Sequence, residues 1–116
     1  MKPLRVKRVY DAPLPEDGVR VLVDRLWPRG LKRESSKIDL WLKDAAPSDG
    51  LRRWFGHDPS RWAEFQKRYR AELANNAQNI ASLRELMQGG KALTLLYAAK
   101  NTEHNNAVVL RDFLLP

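Results

Sequence analysis

The apolar positions of this chain fall into two kinds of run. In the first kind, neighbouring residues are apolar together. Val21, Leu22 and Val23 do this in VLVDRLWPRG (residues 21–30), and Leu93, Leu95 and Leu96, with Thr94 and Tyr97, do it in KALTLLYAA (residues 91–99). A strand that is hydrophobic on both faces belongs inside a sheet covered on both sides. Residues 19–24 and 93–98 are therefore predicted to be buried, adjacent and parallel strands. Leu4–Val9 differs, because Leu4 and Val6 alternate with Arg5 and Lys7; it reads as a half-exposed strand near an edge. Tyr10–Gly18, YDAPLPEDG, holds two prolines and an Asp-Gly pair and reads as a loop. Its nine residues are too few for a crossover helix. The first two strands are then either antiparallel or joined by a bare extended crossover.

In the second kind of run, apolar residues recur at three- and four-residue intervals. Ser35 or Ser36 is positioned to cap a helix carrying Ile38, Leu40, Trp41 and Leu42, ended by Ala45-Ala46-Pro47. Ser48 is the next N-cap, with Asp49 in the first turn, for a short helix bearing Leu51, Trp54 and Phe55 and closed by Gly56. Asp58 caps the longest helix and Pro59 takes its first position. There Trp62, Phe65, Tyr69 and Leu73 share a face that continues through Asn76, Ile80, Leu83 and Met87, with Asn75-Asn76 a point of division. Gly89-Gly90 stops it. A last helix, Ala107–Leu115, turns Val108, Val109, Phe113 and Leu114 inward, with Asn101 or Thr102 as its N-cap. The aromatics from Trp54 to Tyr69 read as a core layer, with a base-stacking platform as the alternative. These elements predict one α/β domain over residues 1–116. Its sheet is small, mostly parallel and three- to four-stranded, with helices on both faces in a three-layer sandwich.

Composition narrows the chemistry. With no cysteine and only His57 and His104 as imidazoles, neither a disulfide nor a multi-histidine metal site is expected. No Gly-rich phosphate loop, nucleophile elbow or metal motif occurs, so no metal and no cofactor is predicted. The start, MKPLRVKRVY, lacks the apolar run of a signal peptide, and no stretch approaches a membrane span. A cytoplasmic protein with no membrane partner is the expectation. The net charge is +7 and the pI is near 10.1. Ten of the 21 basic residues lie in Met1–Lys37, and Arg52, Arg53, Arg61, Lys67, Arg68 and Arg70 form a second cluster. Such a balance suits an anionic small molecule, nucleic acid or an acidic partner.

The candidate site lies where both buried strands end. Parallel sheets hold ligands outside the carboxyl ends of their strands. Asp24, Arg25 and Arg29 follow one strand on a turn stiffened by Trp27-Pro28. Asn101, Thr102, Glu103, His104 and Asn105 follow the other. If the two ends share one edge, Arg25 and Arg29 offer two planar forks to one anion. The adjoining helix start adds free N–H groups and a partial positive charge. Phosphate or carboxylate is the expected ligand. Asp24 would orient an arginine or bind a hydroxyl, and His104 is the side chain placed to move a proton near neutral pH. The bland readings are that the arginines pair with carboxylates such as Asp24 and Glu34, that His104 is a plain first-turn residue, and that Glu103 compensates the helix dipole.

Taken together, the stretches DGVRVLVDRLWPRGL, WLKDAAPS, LRRWFGHDP, RWAEFQKRYRAEL and TLLYAAK-x-x-EHNNAVVL resemble the YeaO-like branch of the domain-of-unknown-function family 488, over almost the whole chain. The resemblance implies a small bacterial or archaeal α/β domain and no established reaction, so no catalytic residue carries over. It marks as signature Asp24, Arg25, Trp27, Pro28, Arg29 and Gly30, with Ser48, His57, Asp58, Glu103, His104 and Asn105. The family pattern implies an aspartate where this chain has Asn101, and often histidine or glutamine where it has Asn106. Longer relatives carry cysteine-histidine near Asn105 and Asn106. These departures lower the acid–base capacity of the turn.

The leading expectation is thus a small anion-binding α/β protein, a candidate enzyme on a phosphorylated or nucleotide-like ligand. Asp24 and His104 would be its catalytic candidates. Arg25, Arg29, Asn101, Thr102, Glu103 and Asn105 would bind the ligand. The alternative is a basic nucleic-acid-binding or regulatory module, and a third is an interaction protein that meets an acidic partner. Two strongly apolar strands argue against a helix-turn-helix DNA reader.

Overall fold

The computed structural model describes residues 3–115. Four strands, β1 (Leu4–Arg8), β2 (Val19–Leu22), β3 (Leu40–Trp41) and β4 (Leu93–Tyr97), form one sheet in the order β1-β4-β2-β3. Every pairing is parallel. The two consecutive-apolar runs are neighbours at the centre, with Val21 opposite Leu95 and Leu22 opposite Leu96. All four of these residues are fully buried, as a strand covered on both faces requires. Burying each such side chain contributes about 1.5–3 kcal/mol.

β1 and β2 are parallel with β4 between them, so the connection is the bare crossover. It needs no helix because a buried carboxylate pins it. Asp17 ends a 3₁₀ turn (Pro15–Asp17) and accepts from Lys7 Nζ at 3.1 Å, Arg20 Nη1 at 2.5 Å and the Leu14 amide at 3.1 Å. Its carbonyl accepts from the Thr94 hydroxyl of β4 at 2.7 Å. Gly18 follows in the left-handed region (φ 64°), and a Cβ there would lie 2.1 Å from the Ala92 carbonyl oxygen. Only glycine passes at that separation.

Five helices complete the described chain: α1 (Arg33–Ser36), α2 (Asp49–Phe55), α3 (Trp62–Ala74), α4 (Ala77–Met87) and α5 (Asn106–Leu114). Residues of α2 to α5 cover the sheet face carrying Val21, Val23, Leu93, Leu95 and Tyr97. The opposite face, with Val9, Leu22 and Leu96, is covered by Trp27, Leu31, Ile38 and Trp41 from the stretch around the one-turn α1. No helix among the described residues is long and apolar enough to cross a membrane.

Three expectations are corrected. The helix predicted to carry Ile38, Leu40, Trp41 and Leu42 is instead the edge strand β3. Lys37 adopts φ 56° and ends α1, and Leu40 and Trp41 then pair with Val21 and Leu22. A two-residue strand is too short to show a period, so the run of apolar residues suggested a helix. The cap of α5 is Asn105, whose side chain accepts from the Val108 amide at 3.0 Å, and not Asn101 or Thr102. Ser48 caps α2 as expected, accepting the Leu51 amide; Asp58 accepts the Ser60 amide but caps a 3₁₀ turn (Pro59–Arg61), and the long helix α3 starts only at Trp62, without a side-chain cap.

Candidate functional site

The ends of β2 and β4 are laced together by one aspartate. Asp24 Oδ2 accepts the Ala98 amide at 2.9 Å, and Oδ1 accepts Asn106 Nδ2 at 3.2 Å. The same Asn106 nitrogen donates to the Val23 carbonyl at 2.9 Å. The indole N–H of Trp41 donates to the Asp24 carbonyl at 2.8 Å. One residue thereby joins β2, the end of β4, the start of α5 and β3. Burial raises the Asp24 carboxyl above the usual carboxylate range. The Ala98 and Asn106 hydrogen bonds and the nearby His57 offset only part of that.

A cavity of about 550 Å³ opens at this edge. Its lining is strongly basic, with Arg25, Arg29, Arg52, Arg53, His57 and His104 against the single carboxylate of Asp24. The arginines are not equivalent. Arg25 donates from Nε to the Pro47 carbonyl at 3.1 Å and from Nη2 to the Ala46 carbonyl at 3.3 Å, with Asp44 3.7 Å from Nη1. It fastens the 44–47 turn to the end of β2. Arg52 and Arg53 share Asp49, at 2.7 and 2.9 Å. Arg29 is exposed, and among the described residues its side chain has no hydrogen-bond or ion-pair partner. Its backbone is held by the Tyr10 hydroxyl, which donates to the Arg29 carbonyl at 2.8 Å.

The turn after β4 is built by its asparagines. Asn101 Oδ1 accepts the amides of Glu103 and His104, both at 2.9 Å, and its carbonyl accepts Asn105 Nδ2. This presents His104 on the cavity wall, its ring stacked on Trp62 at 4.7 Å between centroids and 19° between planes. The other imidazole comes from an unusual backbone. Gly56 and His57 both sit in the left-handed region, at φ 52° and 58°. For a residue with a Cβ this costs about 1–2 kcal/mol. The pair reverses the chain after α2 and brings His57 to the cavity.

Of the residues singled out from the sequence, Asp24, Arg25, Arg29, His104 and Asn105 line the cavity. Asn101 stands behind it as a turn-former, and exposed Thr102 and Glu103 do not line it. From the sequence alone, Arg52 and Arg53 read as part of a basic surface, and nothing places His57 or Asn106 in the site. The WFGHDP word was the one available signal for His57. Elsewhere in the second basic cluster, Arg61 pairs with Asp58 and Arg68 with Glu64, and both guanidinium groups lie over the Trp54 ring. Among the described residues, no group of three or more His, Cys, Asp or Glu could hold a metal ion.

Comparison with known proteins agrees with the resemblance read from the sequence. The family model described as "Inactive DUF488-N3 subclade" matches residues 3–116. The uncharacterized protein YeaO of Escherichia coli K12 is 45% identical over 111 residues, covering 96% of each chain. The uncharacterized protein Rv3073c of Mycobacterium tuberculosis H37Rv is 42% identical over 111 residues, covering 96% of this chain and 92% of that one. The Mycobacterium bovis protein Mb3100c matches to the same extent. No solved structure matches. With its full described length inside the family model and close to half of its residues shared with YeaO, this chain belongs to the DUF488 family.

Proposed function

We propose that this chain is a receptor for a small anion, the phosphate or carboxylate group of a phosphorylated or nucleotide-like ligand, and that it binds without turning the ligand over. The observation that carries this is Arg29, a guanidinium with no partner among the described residues, on the wall of a basic cavity at the carboxyl edge of a parallel sheet. That edge is where such folds bind ligands. The first turn of nine-residue α5 reaches the same cavity through Asn105 and Asn106 and adds a partial positive charge. The description of the matching subclade as inactive supports binding over catalysis. So does Asp24, whose two oxygens are already engaged in tying strand ends together. In this reading Asp24 is a brace and Arg29 is the principal ligand.

Phosphate titrated into the protein at low salt is the direct test, read by calorimetry. Arg29→Ala should weaken binding by about 1.5–3 kcal/mol, the usual worth of a charge-assisted hydrogen bond, and Arg29→Lys should weaken it because an ammonium lacks the planar fork. Equal affinity of wild type and Arg29→Ala would sink the reading. Nucleic acid is the other use of the positive charge. The ion pairs at Arg61 and Arg68 favour the small anion. Duplex DNA binding with a steep salt dependence, unaffected by Arg29→Ala, would favour the alternative.

A further inference from the structure

We propose that His57 and His104 make this cavity selective for a dianion of the phosphate-monoester class over a carboxylate. The proposal rests on the anion reading above and adds which anion.

The arginines come close to cancelling. Arg25 is committed to two carbonyls and Asp44. Arg52 and Arg53 share Asp49. The carboxylate of Asp24 lies beneath the cavity. Arg29 is the guanidinium left over, and one guanidinium matches one negative charge. A second negative charge has to be met by something else on the wall.

The first turn of α5 and the unpartnered Nε of Arg52 offer donors there, and the two imidazoles are the lining side chains among the described residues that can gain a positive charge. They sit at the two ends of one run of rings: His57 against Phe55 at 6.1 Å, Phe55 against Trp62 at 5.9 Å, and Trp62 against His104 at 4.7 Å. Packing therefore fixes where both rings stand. Neither ring has a hydrogen-bond or ion-pair partner among the described residues, so each keeps its N–H groups for a ligand. The charged or titratable groups around them are few. The end of β2 supplies Asp24, Arg25 and Arg29, and α2 supplies Arg52 and Arg53. The first crossover supplies Tyr10, whose hydroxyl is engaged at the Arg29 carbonyl. Asp58, next to His57, is paired with Arg61, and Glu103, next to His104, does not line the cavity.

Histidine is the side chain whose charge changes near neutral pH. A dianion entering this cavity therefore draws protons onto the imidazoles, and a monoanion, already matched by Arg29, does not. By linkage, affinity then falls about tenfold per pH unit for each proton taken up.

Sulfate and acetate are suitable probes, because sulfate keeps both charges and acetate its one across neutral pH. Calorimetric titrations from pH 6.5 to 8.5, in two buffers of different ionisation enthalpy, read affinity and proton uptake together. Sulfate should bind with proton uptake and lose affinity as pH rises, while acetate should show neither. The double variant His57→Asn, His104→Gln should lose the pH slope, and its sulfate-to-acetate affinity ratio should fall toward one. Asparagine suits position 57 because it tolerates the left-handed backbone. A purely structural role for the histidines would lower both affinities and leave the ratio and slope in place. Equal slopes for the two anions, or a slope that survives in the double variant, overturns the histidine assignment while leaving the anion site standing. If neither anion binds the wild type, or if Arg29→Ala weakens neither, the anion site itself falls and the assignment with it.

Discussion

Two aspartates near the ends of elements in this protein, Asp17 and Asp24, have opposite electrostatic fates. Asp17 is almost fully buried, with 3% of its side chain exposed. Burial alone would raise its carboxyl, but the Leu14 amide and the cations Lys7 and Arg20 outweigh that and hold it below the usual range. Asp24 is half-buried and meets only neutral donors directly, the Ala98 amide and the Asn106 side chain, so burial prevails and its carboxyl is raised. Two cations meet Asp17 and only neutral donors meet Asp24, so only at Asp17 is the effect of burial outweighed. The first aspartate is an ionised staple for a crossover that has no helix. The second is a costly carboxylate kept at the edge where a ligand would bind.

The comparison breaks most visibly at Asp17. Asp17→Asn leaves the buried guanidinium of Arg20 and the ammonium of Lys7 uncompensated and should destabilise the fold by about 3–5 kcal/mol, measured by urea unfolding. The same approach separates the two turn arginines. Arg25→Ala abandons the Ala46 and Pro47 carbonyls and should cost about 1.5–3 kcal/mol of stability. Arg29→Ala touches no partner among the described residues and should change stability by no more than about 0.5 kcal/mol, with its effect confined to anion affinity. Equal losses from the two arginine variants would contradict the division of labour between brace and ligand.

Asp24→Asn should cost only about 1 kcal/mol at neutral pH, since loss of a charged acceptor is set against relief of a buried charge. Its effect on pH dependence is more diagnostic. The native state holds the Asp24 proton to higher pH than the unfolded chain does. Its contribution therefore favours folding at low pH and is lost as pH rises through the raised native value. The stability gap between wild type and Asp24→Asn should widen as pH falls through that value. For Asp17 the sign is reversed. Its contribution is complete above the unfolded value, near 3.9, and is lost as pH falls through the depressed native value. The gap between wild type and Asp17→Asn should shrink there. Thermal unfolding of the three proteins between pH 3 and 7 checks both slopes, and slopes of the same sign would refute the contrast.

Much of the scaffold was legible in the chain. Val21–Val23 and Leu93–Tyr97 carry apolar residues on both faces, which a half-exposed strand would not tolerate, and they proved to be paired centre strands. The division of the long helical register at Asn75-Asn76 also held, with α3 ending at Ala74 and α4 beginning at Ala77. Leu40 and Trp41 were misread because their strand character comes from pairing with Val21 and Leu22 and not from any local period. In the site, convergence of the two strand ends was legible, because it follows from parallel pairing. The roles within the site were not: Arg25 and Arg29 are four residues apart in one turn, and nothing local says that one faces carbonyls and the other the cavity.

By itself the sequence determined the features whose causes are local: both-face apolar runs, side-chain caps at Ser48 and Asp58, and helix breaks at glycine and asparagine. These depend on a residue and its near neighbours, so they can be read without knowing what lies across the fold. Only the tertiary structure decided the partners of charges. Asp24 meets Ala98 and Asn106 across more than 70 residues of chain, and the Asp17 carboxylate meets Lys7 of β1 and Arg20 of β2. His57 reaches the cavity through a backbone conformation that its side chain does not favour. Charge and hydrogen-bond energies depend on distance and on the exclusion of water, and both are set only once the sheet has brought distant residues together.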